Sequence, residues 1–443
     1  MDSRHSSIDL EIISEFILEM NLLSENVNLL RTKSTLNYSS YSCISGILYI
    51  TMEVRKMAKG IMVKPIIIQW AIQSSGKNVK GLSEKFAKID QWTSEESALS
   101  VSELNKLSKE LKIPFGYFFL PEPPIEDIKL LKYRTIDNEE NAKPSRELID
   151  TIKYMEKRQS FMRDALIEDG FLPHEFVGSA TIKEKPEDVA TKILKELQLS
   201  ENWNQNNSET FRALREASSN LGILVMQNGV VGNNNHRVLD VAEFRAFVLI
   251  DDYVPLIFLN ARDSINAKVF SLCHELVHIW LGIDELYNDN FAMDRIVNNS
   301  KLERFCNEVA AEILLPLNSL QSAFNPEYDV YTNIKNIAKT FHVSELVVCI
   351  RLKSKKMIDK KTFDAVYGKL LDEMRESLLD KQQQEKKSGG DYYATSGSRL
   401  DARFAATVSR KAREGRILYT EAYELIGAKG KTYDNLIKYV EGR

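Results

Sequence analysis

The run Cys273-His274-Glu275-Leu276-Val277-His278-Ile279-Trp280 sets two imidazoles four residues apart with a carboxylate between them. On a helix, positions i and i+4 share a face one turn apart, so His274 and His278 can reach a single tetrahedral divalent ion. Glu275 lies beside them and can meet a water on that ion without being a ligand itself. This is the H-E-x-x-H arrangement of zinc hydrolases: zinc brings the pKa of its water toward about 7, Glu275 takes the proton, and the oxygen attacks a polarised carbonyl. Six histidines and 63 acidic residues spread over 443 positions give about 0.01 such patterns per chain by chance. The plainer alternative is a pair of hydrogen-bonded core histidines. It requires burying two imidazoles and a carboxylate in a helix that is apolar almost all round, at a high desolvation cost.

A hydrolytic zinc takes three protein ligands and leaves a fourth position open. The next amphipathic segment, KLERFCNEVAAEILLP, offers Glu303, Glu308 and Glu312. At about 100° per residue, Glu303 falls at the edge of the apolar face made by Phe305, Cys306, Val309 and Ile313. Glu308 aligns instead with Lys301, Arg304 and Glu312, a charged face read as solvated. Glu303 is therefore the candidate third ligand, and Asn307 is placed to support the site by hydrogen bonding. Cys273 and Cys306 read as small core residues rather than ligands. His236, in the Gly/Asn-rich stretch NGVVGNNNHR, is either a transition-state hydrogen-bond donor reaching the cleft or, more plainly, a surface-loop histidine.

The elements that must carry these groups are mostly helical. The chain is long enough for several domains, and with 43% hydrophobic and 28% charged residues it has the composition of a soluble globular protein. Lys+Arg of 59 against Asp+Glu of 63, a net charge of -4, argues against a polybasic coat for nucleic acid. Four scattered cysteines form no CxxC pair and read as reduced thiols. No run reaches the ~20 apolar residues of a membrane span, and the acidic start MDSRHSSIDLEIISEF is unlike a secretory signal. A cytoplasmic location is expected.

The pattern along the chain predicts an α+β, mostly helical protein built around a zincin-like metallopeptidase core with a small β-sheet. Residues 1–60 read as an accessory or poorly ordered extension and 61–125 as a helix-turn-helix-like domain. In the latter, Pro65 opens the first helix and Ser102 is the expected cap of the last. Residues 126–215 read as a helical segment. The core, 216–320, contains the β-rich runs LGILVMQ and AFVLIDDYVPLIFLN, the second turning at Asp251-Asp252-Tyr253, with NGVVGNNNHR as a loop between them. A helical continuation over 321–380, a polar linker over 381–398 and a basic C-terminal helical module over 399–443 complete the expectation. His342 reads as structural.

Together, AFVLIDDYVPLIFLN, FSLCHELVHIWLG and ERFCNEVAAEILLP resemble the ImmA/IrrE family of zinc metallopeptidases, in the branch that carries an N-terminal XRE-type helix-turn-helix. FGYFFLPEPP, YRTID, GILVMQNGVVGNNNHR and GRILYTEAYELIGAKGKTYDNL extend the likeness over roughly residues 62–443. The resemblance implies Zn2+ as cofactor, with the leading Glu of the second motif, Glu303 here, as third ligand. It also implies a regulatory, site-specific endopeptidase whose substrate is a repressor or antitoxin-like protein encoded nearby, cleaved to switch silenced genes on.

A reading of a different class is a helix-turn-helix transcription regulator whose metal site is structural or sensory. Its DNA contacts would fall on Lys80, Lys85, Lys88 and Gln91, since base edges are read by such side chains. The acids of Ser94-Glu95-Glu96 would face phosphate in that pose, and a docking domain that recruits the protein substrate fits the segment equally. The intact general base Glu275, which a purely structural site does not need, favours the peptidase.

Overall fold

The computed structural model describes residues 60–124, 144–205, 209–283, 286–287, 301–384 and 391–442. Of the N-terminal extension expected over 1–60, residues 1–59 lie outside the described residues, as does the YRTID stretch. The chain divides into two units, one before and one after position 127.

The first unit holds β1 (Ile61–Val63), α1 (Pro65–Ser74), α2 (Val79–Ser83), α3 (Ile89–Ser94), β2 (Ser97–Leu99) and α4 (Val101–Leu111). Strands β1 and β2 pair antiparallel, Ile61 opposite Leu99. Pro65 opens α1, where its missing N–H is not needed. The cap of α4 is Ser100, not Ser102. The Ser100 hydroxyl accepts from the Glu103 N–H at 3.2 Å while the Glu103 carboxylate accepts from the Ser100 N–H at 2.8 Å. A glutamate three residues after a serine closes this reciprocal box, and Ser102 has no such partner three residues on. Ile67, Ile68, Leu82, Trp92, Leu104, Leu107 and Leu111 form the unit's core.

The second unit begins with α5 (Arg146–Glu168), α6 (Pro186–Glu196) and α7 (Thr210–Leu221). Next come β3 (Leu224–Asn228), β4 (Val230–Val231), β5 (Asn234–Val238), β6 (Ala246–Leu249), β7 (Leu256–Asn260), α8 (Ile265–Leu281) and β8 (Leu286–Tyr287). It ends with α9 (Lys301–Leu314), α10 (Leu317–Ala323), α11 (Val330–Phe341), α12 (Glu345–Ser354), α13 (Lys360–Gln384), α14 (Tyr392–Ser398), α15 (Ala402–Arg413), α16 (Tyr419–Ile426) and α17 (Lys431–Glu441). The described chain is mostly helical with small sheets. No described helix is long and apolar enough to cross a membrane.

A mixed four-stranded sheet runs β3-β7-β6-β8, with β3 parallel to β7 and the other pairs antiparallel. Side chains alternate between its faces, and both faces are dry. Val225, Ile257, Leu259, Ala246 and Val248 join a core with α6, α8, α9, α11 and α12. Leu224, Met226, Leu256, Phe258, Phe247 and Leu249 join a second core with α5 and α15–α17. Burying each such side chain stabilises the fold by about 1.5–3 kcal/mol relative to leaving it exposed.

Two expectations change here. NGVVGNNNHR, read as a loop, contains the hairpin β4–β5, with Val230 opposite Val238. The Asn228 side chain turns the chain into it, accepting from the Gly229 and Val230 N–H groups and donating to Gly232 O at 2.7 Å. The segment 381–398, read as a linker, includes the end of α13 and all of α14. Asp391 caps α14, and the Tyr439 ring lies so close to Gly397 that an added Cβ would sit 3.0 Å from it. The C-terminal helices therefore close the back of the sheet.

Candidate metal centre

Helix α8 starts where Ser264 accepts from the Ala267 N–H at 3.3 Å, and it ends at Gly282, held at φ 68. Gly282 is required twice over: L side chains avoid that conformation, and a Cβ there would meet Gly178 Cα at 3.1 Å. Residues 178–180 tie down the helix end, with the Gly178 N–H donating to Ile279 O at 3.0 Å and the Ala180 N–H to Trp280 O at 2.8 Å. The Phe176 ring stacks on Trp280 at 4.8 Å. Near the start of α8, Lys268 Nζ donates to Gln227 Oε1 of β3 at 3.2 Å. Sheet, cap and C-terminal tie thus fix the helix that carries the histidines.

His274, Glu275 and His278 are fully buried. Helix α9 crosses α8 on its Phe305, Cys306, Val309, Ala310 and Ile313 face and brings Glu303, from its first turn, up to both imidazoles. His274 Nε2 lies 3.1 Å from His278 Nε2, 3.3 Å from one Glu303 oxygen, and His278 Nε2 lies 3.4 Å from the other. Bonds of 2.0–2.1 Å at tetrahedral angles require donor atoms about 3.3–3.4 Å apart. The observed separations, which involve both Glu303 oxygens, lie close to that figure, and two imidazoles with a carboxylate are a donor set that zinc accepts. The residues therefore fit a divalent ion.

The electrostatics agree. Burial opposes ionisation of Glu303, but the charge of His274 and hydrogen bonds from both imidazoles hold its carboxyl well below the usual carboxylate range. Its side chain retains 17% exposure where the two histidines retain none, so the cluster meets solvent over this carboxylate. Asn307, one turn along α9, accepts from His274 Nδ1 at 3.0 Å. An amide oxygen can only accept, so Nδ1 carries a hydrogen, which leaves Nε2 as the nitrogen that would bind an ion.

Other candidates fall elsewhere. His236 is exposed on β5, in the hairpin sheet, with its N–H donated to Asn234 Oδ1. Its chain neighbour Arg237 binds Asp150 of α5 at 2.7 Å, which fixes that strand on α5. Burial pushes the Cys273 thiol up, as it does Cys349 to about 11, so neither is a ready thiolate. His342 caps α11 in the left-handed conformation. In the first unit Lys80, Lys85, Lys88 and Gln91 are exposed, but three of them face acids. Lys85 pairs with Glu110 at 2.9 Å, Lys88 lies 3.8 Å from Glu103, and Gln91 donates to Glu95.

The charged face of α9 is not wholly solvated. Glu308 is exposed, but Glu312 is buried against Arg351 of α12, whose Nε also donates to Leu315 O at 2.6 Å. Helix α12 packs over that part of the wheel. A lone arginine in the apolar run ELVVCIRL was the available signal.

Residues 219–353 match the sequence model of the M78 peptidases, described as an IrrE N-terminal-like domain. Residues 400–439 match a model described as a domain of unknown function. No curated protein matches the chain. The first match runs from the end of α7 into α12 and so contains His274, Glu275, His278, Glu303 and Asn307. It supports a metal-dependent peptidase of the ImmA/IrrE kind.

Proposed function

We propose that this protein is a zinc-dependent, site-specific endopeptidase that cleaves a cognate regulatory protein, a repressor or antitoxin-like partner, in the cytoplasm. The observation that carries the reading is the set of three donor-to-donor distances, 3.1, 3.3 and 3.4 Å, among His274, His278 and Glu303. Such close convergence of donor atoms supports a cation at their centre, and the general base supplied by Glu275 goes beyond what a structural site needs.

His274, His278 and Glu303 would hold the ion. When bound, zinc supplies Lewis-acid activation of a water and of a peptide carbonyl. Asn307 keeps the His274 ring in one tautomer and orientation. Glu275, one residue from His274 and excluded from bulk water, takes a proton from the attacking water and returns it to the leaving amine. The buried apolar surroundings strengthen each of these electrostatic effects.

The N-terminal unit enters this reading as a protein-docking domain. Glu110 pairs with Lys85 and Glu103 lies near Lys88, which counts against a phosphate-backbone contact through those two lysines.

The test is incubation of the zinc-loaded chain with the small regulator encoded beside its gene, followed by mass spectrometry of the products. A single cut by the wild type, and none by Glu275→Gln with its zinc content intact, is the expected pair of results. Normal processing of the partner by Glu275→Gln would refute the mechanism.

A further inference from the structure

On the face of the sheet away from the histidines lies a cavity of about 30 Å³ between α5, β3, the β4–β5 hairpin and the C-terminal helices. At 10–15 Å³ per ordered water, about two waters or one tetrahedral oxyanion can be seated there. Its wall includes Arg158 and Arg399 and no acid.

Arg158 is 7% exposed. Its Nε donates to Leu425 O at 2.9 Å and its guanidinium carbon lies 4.7 Å from the centre of the Tyr154 ring. Arg399 donates to Asn233 Oδ1 at 2.9 Å. Neither guanidinium forms an ion pair with a carboxylate of the described residues. Three other guanidiniums of the same unit are matched by carboxylates: Arg351 by Glu312, Arg245 by Asp263 at 2.6 Å, Arg237 by Asp150 at 2.7 Å.

A buried cation without an anion is unfavourable, which is the position of Arg158; Arg399 is half-buried. Burial lowers the pKa of Arg158 to about 10, with only Tyr154 opposing, and burial lowers that of Arg399 as well. The guanidinium fork matches the oxygens of phosphate in geometry and charge.

We propose that this cavity is a binding site for a phosphate-type oxyanion, free or carried by a small metabolite, with Arg158 and Arg399 as its cationic ligands. Occupancy neutralises the two arginines and cross-links α5 to the C-terminal helices through one ligand. The proposal does not depend on the peptidase reading.

The experiment is thermal unfolding of the full chain against inorganic phosphate and against glycerol phosphate, at constant ionic strength held with chloride. The midpoint should rise and saturate in the wild type and equally in Glu275→Gln, and the rise should vanish in Arg399→Gln. Arg158→Lys, which keeps a charge but loses the fork, should shift half-saturation to at least about tenfold higher concentration. A larger rise with glycerol phosphate assigns the site to a phosphorylated metabolite, and a larger rise with inorganic phosphate assigns it to the free ion. No saturable rise with either, or an undiminished rise in Arg399→Gln, overturns the proposal. If Arg399→Gln does not fold, equilibrium dialysis of the wild type against labelled phosphate decides, and less than one equivalent bound overturns it.

Discussion

The two ends of α9 each set a carboxylate against side chains of another helix, and their partners differ. At one end Glu303 faces two imidazole nitrogens that lie 3.1 Å from each other. About 13 Å further along the axis, Glu312 meets the guanidinium of Arg351 and accepts from the Leu317 N–H at 3.0 Å. Arginine is a permanent cation, so the Glu312 end is complete and inert. Imidazole nitrogens can give a lone pair to a metal, which a guanidinium cannot, so the Glu303 end has the donor set to take a divalent ion. A buried acid marks chemistry when its neighbours are lone pairs, and architecture when its neighbour is a fixed positive charge.

Substitution should separate the two ends cleanly. Glu303→Ala should abolish stoichiometric zinc binding and partner cleavage while leaving the unfolding midpoint of the metal-free protein nearly unchanged. Zinc retained at one equivalent, measured by mass spectrometry under native conditions, would break the contrast. Glu312→Ala should do the reverse, stranding the buried Arg351 charge at a cost of about 3–5 kcal/mol while zinc stays bound. Chemical denaturation reads that loss, and the double variant Glu312→Leu/Arg351→Met should recover most of it. Asn307→Ala removes only the support of His274 and should weaken zinc about 10–100-fold without emptying the site at saturating metal.

The smallest effect concerns the back of the sheet. Hydrogen bonds from Lys411 and from Arg410 hold the Glu168 and Asp169 carboxyls below their ordinary ranges, with Arg416 adding to the effect on Glu168. Depressed carboxylate pKa values give stability that is present above the unfolded values, near 4.5 and 3.8, and lost as pH falls through the lower folded ones. Thermal midpoints should therefore fall more steeply below about pH 4.5 in the wild type than in Lys411→Met. Parallel curves for the two proteins would remove these pairs from the acid response.

Sequence periodicity carried far at the metal end of α9 and failed at the other, for one physical reason. His274, Glu275 and His278 lie within two turns, and Glu303 and Asn307 follow from the inward face of the next helix, so local geometry sufficed to bring these side chains together. Glu312 was assigned to solvent because the wheel shows only α9, and the helix that covers it arrives 39 residues later with Arg351. The hairpin β4–β5 was hidden because its turn is made by the Asn228 side chain rather than by an alternating apolar pattern. The cap at Ser100 is legible in the sequence, since Glu103 stands three residues on. The covered back of the sheet was hardest to read, since strands near 224–260 and helices after 400 meet only in the folded chain.

That last arrangement sets a rule for any shortened version of the molecule. A fragment trimmed to residues 219–353 keeps all five residues of the metal centre and still strips Leu224, Met226, Phe247 and Phe258 of their cover. Bare aromatic and aliphatic side chains on a wet sheet invite self-association, so such a fragment should come out of cells as aggregate. The smallest transplantable cassette must carry α5 and the last forty-odd residues with it.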